Sequence, residues 1–91
     1  MEQYIPCRSR TLRLRYGISL AELADAAGIS PQLISKIELE PRRQTPGHEK
    51  RLKRAFAVII DRRRARLDAL ESELAGYGGL FQPMEGDEYG I

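Results

Sequence analysis

The stretch from Ser19 to Ile37, SLAELADAAGISPQLISKI, decides the fold of this chain. Ser19 and Glu22 form a capping box: the serine oxygen serves an orphan amide of the first turn, and the glutamate reaches back. A helix from about Leu20 to Ala27 follows. Its inward face is Leu20 or Leu23 with Ala24 and Ala27, and Gly28 ends it. Only Ile29 separates that glycine from Ser30-Pro31, a capping serine followed by proline where no amide hydrogen is missed. The next helix runs to about Leu39. It buries Ile34 and Ile37, with Leu33 at the margin. Glu40-Pro41 ends it, because the residue before proline avoids helical angles.

Working outward, a first helix covers about Cys7 to Tyr16, with Gly17 as its stop. After Pro41-Arg42-Arg43-Gln44, Thr45-Pro46 is another cap and proline start. A long helical pattern then runs from about Gly47 to Ala75, with no glycine or proline from Glu49 to Ala75. No stretch alternates as a strand would. The expected fold is all-α.

The unit Leu20 to Ile37 is two short helices around one tight turn, a helix-turn-helix. A small residue at Ala24 lets the second helix approach, Gly28 can turn left-handed without a steric cost, and Ile29 plugs the elbow. Here the chain resembles the phage-repressor-like helix-turn-helix family of the XRE, or Cro/C1, type. The likeness rests on Leu12-Arg13 before Gly17, on Ile18 to Ala24, on Ala27 to Ser30, and on Ile34 to Glu38 with the basic turn up to Pro46. It covers about residues 8–60. It implies a lambda-repressor-like bundle, here with an extended C-terminal helix.

The resemblance also implies that the helix from Pro31 enters the DNA major groove with its N-terminal side chains on base edges. The groove-facing positions are then Pro31, Gln32, Ser35 and Lys36. Gln32 can pair bidentately with adenine and Lys36 can donate to guanine acceptors. Pro31 departs from the polar residue common there and leaves apolar contact, for instance with a thymine methyl. The helix starts at Ser19 and Ser30 are natural phosphate seats, although Leu20 stands where many relatives carry a polar residue. Arg42 and Arg43 match the family's basic turn as phosphate anchors. Arg13 and Glu38 match a structural ion pair.

Charge supports a polyanionic partner. Residues 1–66 hold all 15 Lys and Arg against seven acids, a net +8, while residues 67–91 hold six acids and no base. A single cysteine, Cys7, excludes an internal disulfide. No metal-ligand spacing, glycine-rich phosphate loop or nucleophile–base arrangement is present, so neither enzyme activity, a metal nor a cofactor is expected. His48 and Cys7 read as ordinary surface or half-buried residues. The longest apolar run, Ala55 to Ile60, is too short for a bilayer. The first residues lack the order of a signal peptide, so cytoplasmic residence is expected.

Three segments are expected: a DNA-binding domain over 1–60, a helical extension over 61–75, and a flexible acidic tail over 76–91. Ile60, Leu67 and Leu74 fall seven apart, with Phe56 and Leu70 on the second heptad track and Arg63 interrupting it. This predicts a homodimerisation helix that sets two recognition helices about 34 Å apart, with Asp68, Glu71 and Glu73 meeting the Arg62–Arg66 cluster of an antiparallel partner. The tail has five glycines, one proline and three acids in 16 residues, and suits a protein partner. The resulting expectation is a sequence-specific transcriptional regulator, acting as a repressor. An antitoxin-like or adaptor module and a recombination accessory factor are the alternatives.

Overall fold

Four α-helices and one 3-10 turn make up the computed structural model, which describes residues 5–81. They are α1 (Arg8–Arg15), α2 (Leu20–Ala27), α3 (Pro31–Leu39) and α4 (Pro46–Gly76), with the 3-10 turn Pro41–Arg43 joining α3 to α4. No strand occurs among the described residues. Residues 82–91, which carry Glu85, Asp87 and Glu88 of the expected acidic tail, lie outside them.

The starts of α2, α3 and α4 are each set by a hydroxyl that accepts from an otherwise orphan amide, whereas Cys7 before α1 makes no such bond. Ser19 Oγ accepts from the Glu22 amide at 2.9 Å, Ser30 Oγ from Leu33 at 3.1 Å, and Thr45 Oγ1 from His48 at 3.2 Å. The reciprocal half of the expected capping box differs. The Glu22 carboxylate accepts from Arg63 Nη2 at 3.0 Å. A charge-assisted bond to a guanidinium outweighs one to a neutral amide.

The ends of α1 and α2 are built alike. Gly17 and Gly28 take positive φ, 64° and 70°. After each, an isoleucine amide bonds back into the last turn: Ile18 to the Arg13 carbonyl at 2.7 Å and Ile29 to Ala24 at 3.2 Å. This closure satisfies terminal carbonyls and turns both isoleucines inward. Ile18 is buried and Ile29 packs at the margin of the core. Leu23, Ile34 and Ile59 are fully buried, surrounded by Ala24, Ala27, Ile37, Leu52 and Ala55. Each large side chain here contributes about 1.5–3 kcal/mol by leaving water. Leu20 lies only at the edge, so Leu23 is the leucine that anchors α2.

A buried ion pair ties α1 to α3. Arg13 and Glu38 are 5% and 3% exposed, and Arg13 Nη2 lies 3.0 Å from Glu38 Oε1. Arg13 Nε donates to both carboxylate oxygens at 3.2 Å, and Nη1 donates to the Ile18 carbonyl at 3.1 Å. Ser9 Oγ donates to Glu38 Oε2 at 2.9 Å. The geometry satisfies both charges, which a buried pair requires.

α4 is continuous through Asp61–Arg64. Three of its arginines clasp the body: Arg51 Nη1 donates to the Ala27 carbonyl at 3.2 Å, Arg62 pairs with Asp25 at 3.1 Å, and Arg63 donates to the carbonyls of Tyr16 at 2.7 Å and Gly17 at 3.2 Å. From Arg64 to Phe81 every residue is exposed. At about 1.5 Å per residue, α4 accounts for most of the 56 Å long axis.

Candidate nucleic-acid interface

The two faces of α3 differ as helical periodicity demands. Ile34, Ile37 and Glu38 are buried against α2, α4 and α1, whereas Pro31, Gln32 and Lys36 are exposed. Ser35 is half-buried, so its short hydroxyl reaches less far than the neighbouring side chains. Gln32 and Lys36 are one helical turn apart and share the outer face, and Pro31 begins it. A glutamine amide and a lysine ammonium offer donors, and the amide one acceptor as well, which is the equipment needed to distinguish base edges in a major groove.

Ser19 and Ser30 sit at the starts of α2 and α3, both exposed. Their oxygens accept from amides within the first turn, which leaves each hydroxyl proton free to donate outward. Such a start, with its amides and its positive dipole end, suits a phosphate oxygen.

The turn after α3 is fixed from three directions. Gln44 Nε2 donates to the carbonyls of Ile37 at 3.0 Å and Glu38 at 3.4 Å, closing the end of α3. His48 Nδ1 lies 2.7 Å from the Arg43 carbonyl, and because a carbonyl only accepts, that nitrogen carries the proton. Glu40 takes both arginines: Arg42 Nη2 at 2.9 Å on one oxygen and Arg43 Nε at 3.1 Å on the other. The hydrogen bond from Arg42, with the charge of Arg43 beside it, holds the Glu40 carboxyl below its ordinary value. Arg42 is exposed and Arg43 half-buried, so both stay at the surface while sharing one carboxylate.

Sequence reasoning missed Glu40 as a clamp on the basic turn, although its spacing to Arg42 and Arg43 was the available signal. It also read Arg62 and Arg63 as charges for a partner. Both are engaged within the chain, on Asp25 and Glu22. Ile60, Leu67, Leu70 and Leu74 are all exposed along α4, and do not adjoin the α3 face in any packed core. Cys7 and His48 are half-buried. No group of three metal-ligating side chains gathers among the described residues.

A helix locked on its inner side, open on its outer N-terminal side and followed by a basic turn is the arrangement of a helix-turn-helix DNA-binding domain. A family model described as helix-turn-helix, of the XRE type, matches residues 10–58, and the chain belongs to that family of DNA-binding regulatory domains. The match begins at Arg10 within α1, takes in α2, α3 and the first part of α4, and leaves the rest of α4 outside it. Searches of curated proteins and of solved structures found no match to this chain. Among the described residues no helix is long and apolar enough to cross a membrane.

Proposed function

We propose that the protein is a sequence-specific regulator of transcription, a cytoplasmic repressor that reads duplex DNA with α3 and works as a homodimer. The observation that carries this reading is the two-sided character of α3: Ile34 and Ile37 fix it in the core while Pro31, Gln32 and Lys36 face outward. Gln32 pairs with an adenine, Lys36 donates to a guanine, Pro31 rests against a thymine methyl, and Ser35 contacts a base or phosphate near the helix start. Ser19, Ser30, Arg42 and Arg43 hold phosphates on either side and fix the register without reading sequence. The dimer forms through α4 with Ile60, Leu67, Leu70 and Leu74. Repression follows from occupying a site whose groove other proteins need.

Selection of bound duplexes from a random pool tests the proposal. Wild type should enrich one motif. Gln32→Ala and Lys36→Ala should each relax one position by about 1–3 kcal/mol, roughly fivefold to 150-fold. Arg42→Ala should weaken all sequences alike and flatten the salt dependence by about one unit of slope. No enrichment together with no salt-dependent duplex affinity would sink the reading and favour a protein-binding adaptor.

A further inference from the structure

The second half of α4 carries an apolar stripe that nothing else among the described residues covers. Ile60, Leu67, Leu70 and Leu74 recur at heptad spacing, and Leu67 is 62% exposed. The stripe runs into an apolar groove of about 440 Å3 between α1 and α4, walled by Leu12, Tyr16, Phe56, Ile60 and Leu67. Charges flank it in two blocks: Arg64 and Arg66 beside its first half, Glu71 and Glu73 beside its second. None of these four enters an ion pair among the described residues, in contrast to Arg62 and Arg63, which are clamped to α2.

We infer that a second copy of this chain covers the stripe in antiparallel orientation, so that the end of each α4 lies in the α1–α4 groove of the other copy. The inference rests on the homodimer reading above and gives it a direction and a register. With Ile60, Leu67 and Leu74 on one heptad track and Arg63, Leu70 and Tyr77 on the other, antiparallel packing sets one track against the other. Leu67 then meets Leu70 of the second copy, Ile60 meets its Tyr77, and Leu74 lies along the stem of its Arg63. The same register sets Arg64 against Glu71 and Arg66 against Glu73, each twice by symmetry. A parallel pair would stack Arg63 on its own copy and retain only the Arg66–Glu71 match.

The exposed end of the chain supports the same direction. Phe81 is 102% exposed and Leu80 67%. In this register α4 ends at Gly76 opposite Asp61 of the second copy, so Leu80 and Phe81 follow on beside the groove. The cores of the two copies, taken at Ala55, stand about 40 Å apart along the helix, on the order of one duplex turn.

Two measurements test this on the full chain. By sedimentation at tens of micromolar, wild type should be a dimer. Arg64→Glu with Arg66→Glu, and separately Glu71→Arg with Glu73→Arg, should each weaken self-association by at least about tenfold, since four attractive pairs become repulsive. An equimolar mixture of the two variants should recover a one-to-one dimer. For direction, Ala57→Cys on a Cys7→Ser background carries a spin label: the antiparallel register places two labels about 35 Å apart, against less than about 20 Å in a parallel pair. Wild type found as a monomer, a short label distance, or variants that keep their helix content yet fail to pair when mixed would each overturn the inference. A monomer that still prefers bases through Gln32 would overturn this inference and the homodimer it rests on, and leave base reading by α3 standing. An antiparallel dimer without duplex affinity would uphold it and remove only the DNA reading.

Discussion

Replacing Glu38 with alanine should cost far more than a surface ion pair is worth. In wild type the Arg13 guanidinium is 5% exposed and makes four hydrogen bonds, at 3.0, 3.1, 3.2 and 3.2 Å, three of them to Glu38. Alanine leaves it with only the Ile18 carbonyl, and also deprives Ser9 of its acceptor. An uncompensated buried charge costs about 3–5 kcal/mol, a large part of the roughly 5–15 kcal/mol that holds a native domain together. At about 4–8 °C per kcal/mol for a domain of this size, Tm should fall by roughly 12–40 °C. Urea denaturation followed by far-UV circular dichroism reads the change. Exposed Lys53 and Glu49, 3.8 Å apart, are the control, and Glu49→Ala should cost less than about 1 kcal/mol. Arg13→Met with Glu38→Leu should recover most of the loss, because an apolar pair leaves no charge unpaired. A cost below about 1 kcal/mol for Glu38→Ala, or a double replacement as damaging as the single one, would refute the assignment of this pair as a fully desolvated tie between α1 and α3.

Other perturbations separate folding from binding. Glu40→Gln should release Arg42 and Arg43 from their shared carboxylate, raising duplex affinity roughly severalfold and steepening the salt dependence, read by fluorescence anisotropy at several salt concentrations. Acidification is a poorer probe of that clamp. The folded value of Glu40 lies below the unfolded one, so its contribution to stability is whole above the unfolded value and is lost only as pH falls through the lowered one. Gly28→Ala should destabilise by about 1–2 kcal/mol, because φ is 70° there and space for a methyl is available; an unchanged denaturation midpoint would contradict the left-handed turn. Ile34→Ala should cost about 2–5 kcal/mol in the same assay.

Local chemistry made most of the fold legible from sequence. Serine, threonine, glycine and proline at helix ends act within three or four residues, so the boundaries of α2 and α3 could be read directly from Ser19, Gly28, Ser30 and Glu40-Pro41. The absence of glycine and proline from Glu49 to Ala75 favoured a continuous α4, while the charged run Asp61–Arg64 left a break open there; the fold carries the helix straight through it. Interactions between distant residues were less legible. Glu22 fits a capping box by spacing, and only the fold brings Arg63 close enough to claim its carboxylate. Likewise Arg51, Arg62 and Arg63 look like surface charge until α4 lies against α2. The outer face of α3 followed from periodicity, but the clamp of Glu40 on Arg42 and Arg43 depends on the conformation of the 3-10 turn.

The most direct test of the account is methylation protection on a duplex recovered by selection. Guanine N7 lies in the major groove and adenine N3 in the minor groove. Wild type should shield guanine N7, and Lys36→Ala should uncover one guanine per half-site while the rest of the footprint persists. Protection confined to adenine N3, or a guanine pattern indifferent to Lys36, would contradict the claim that α3 reads bases.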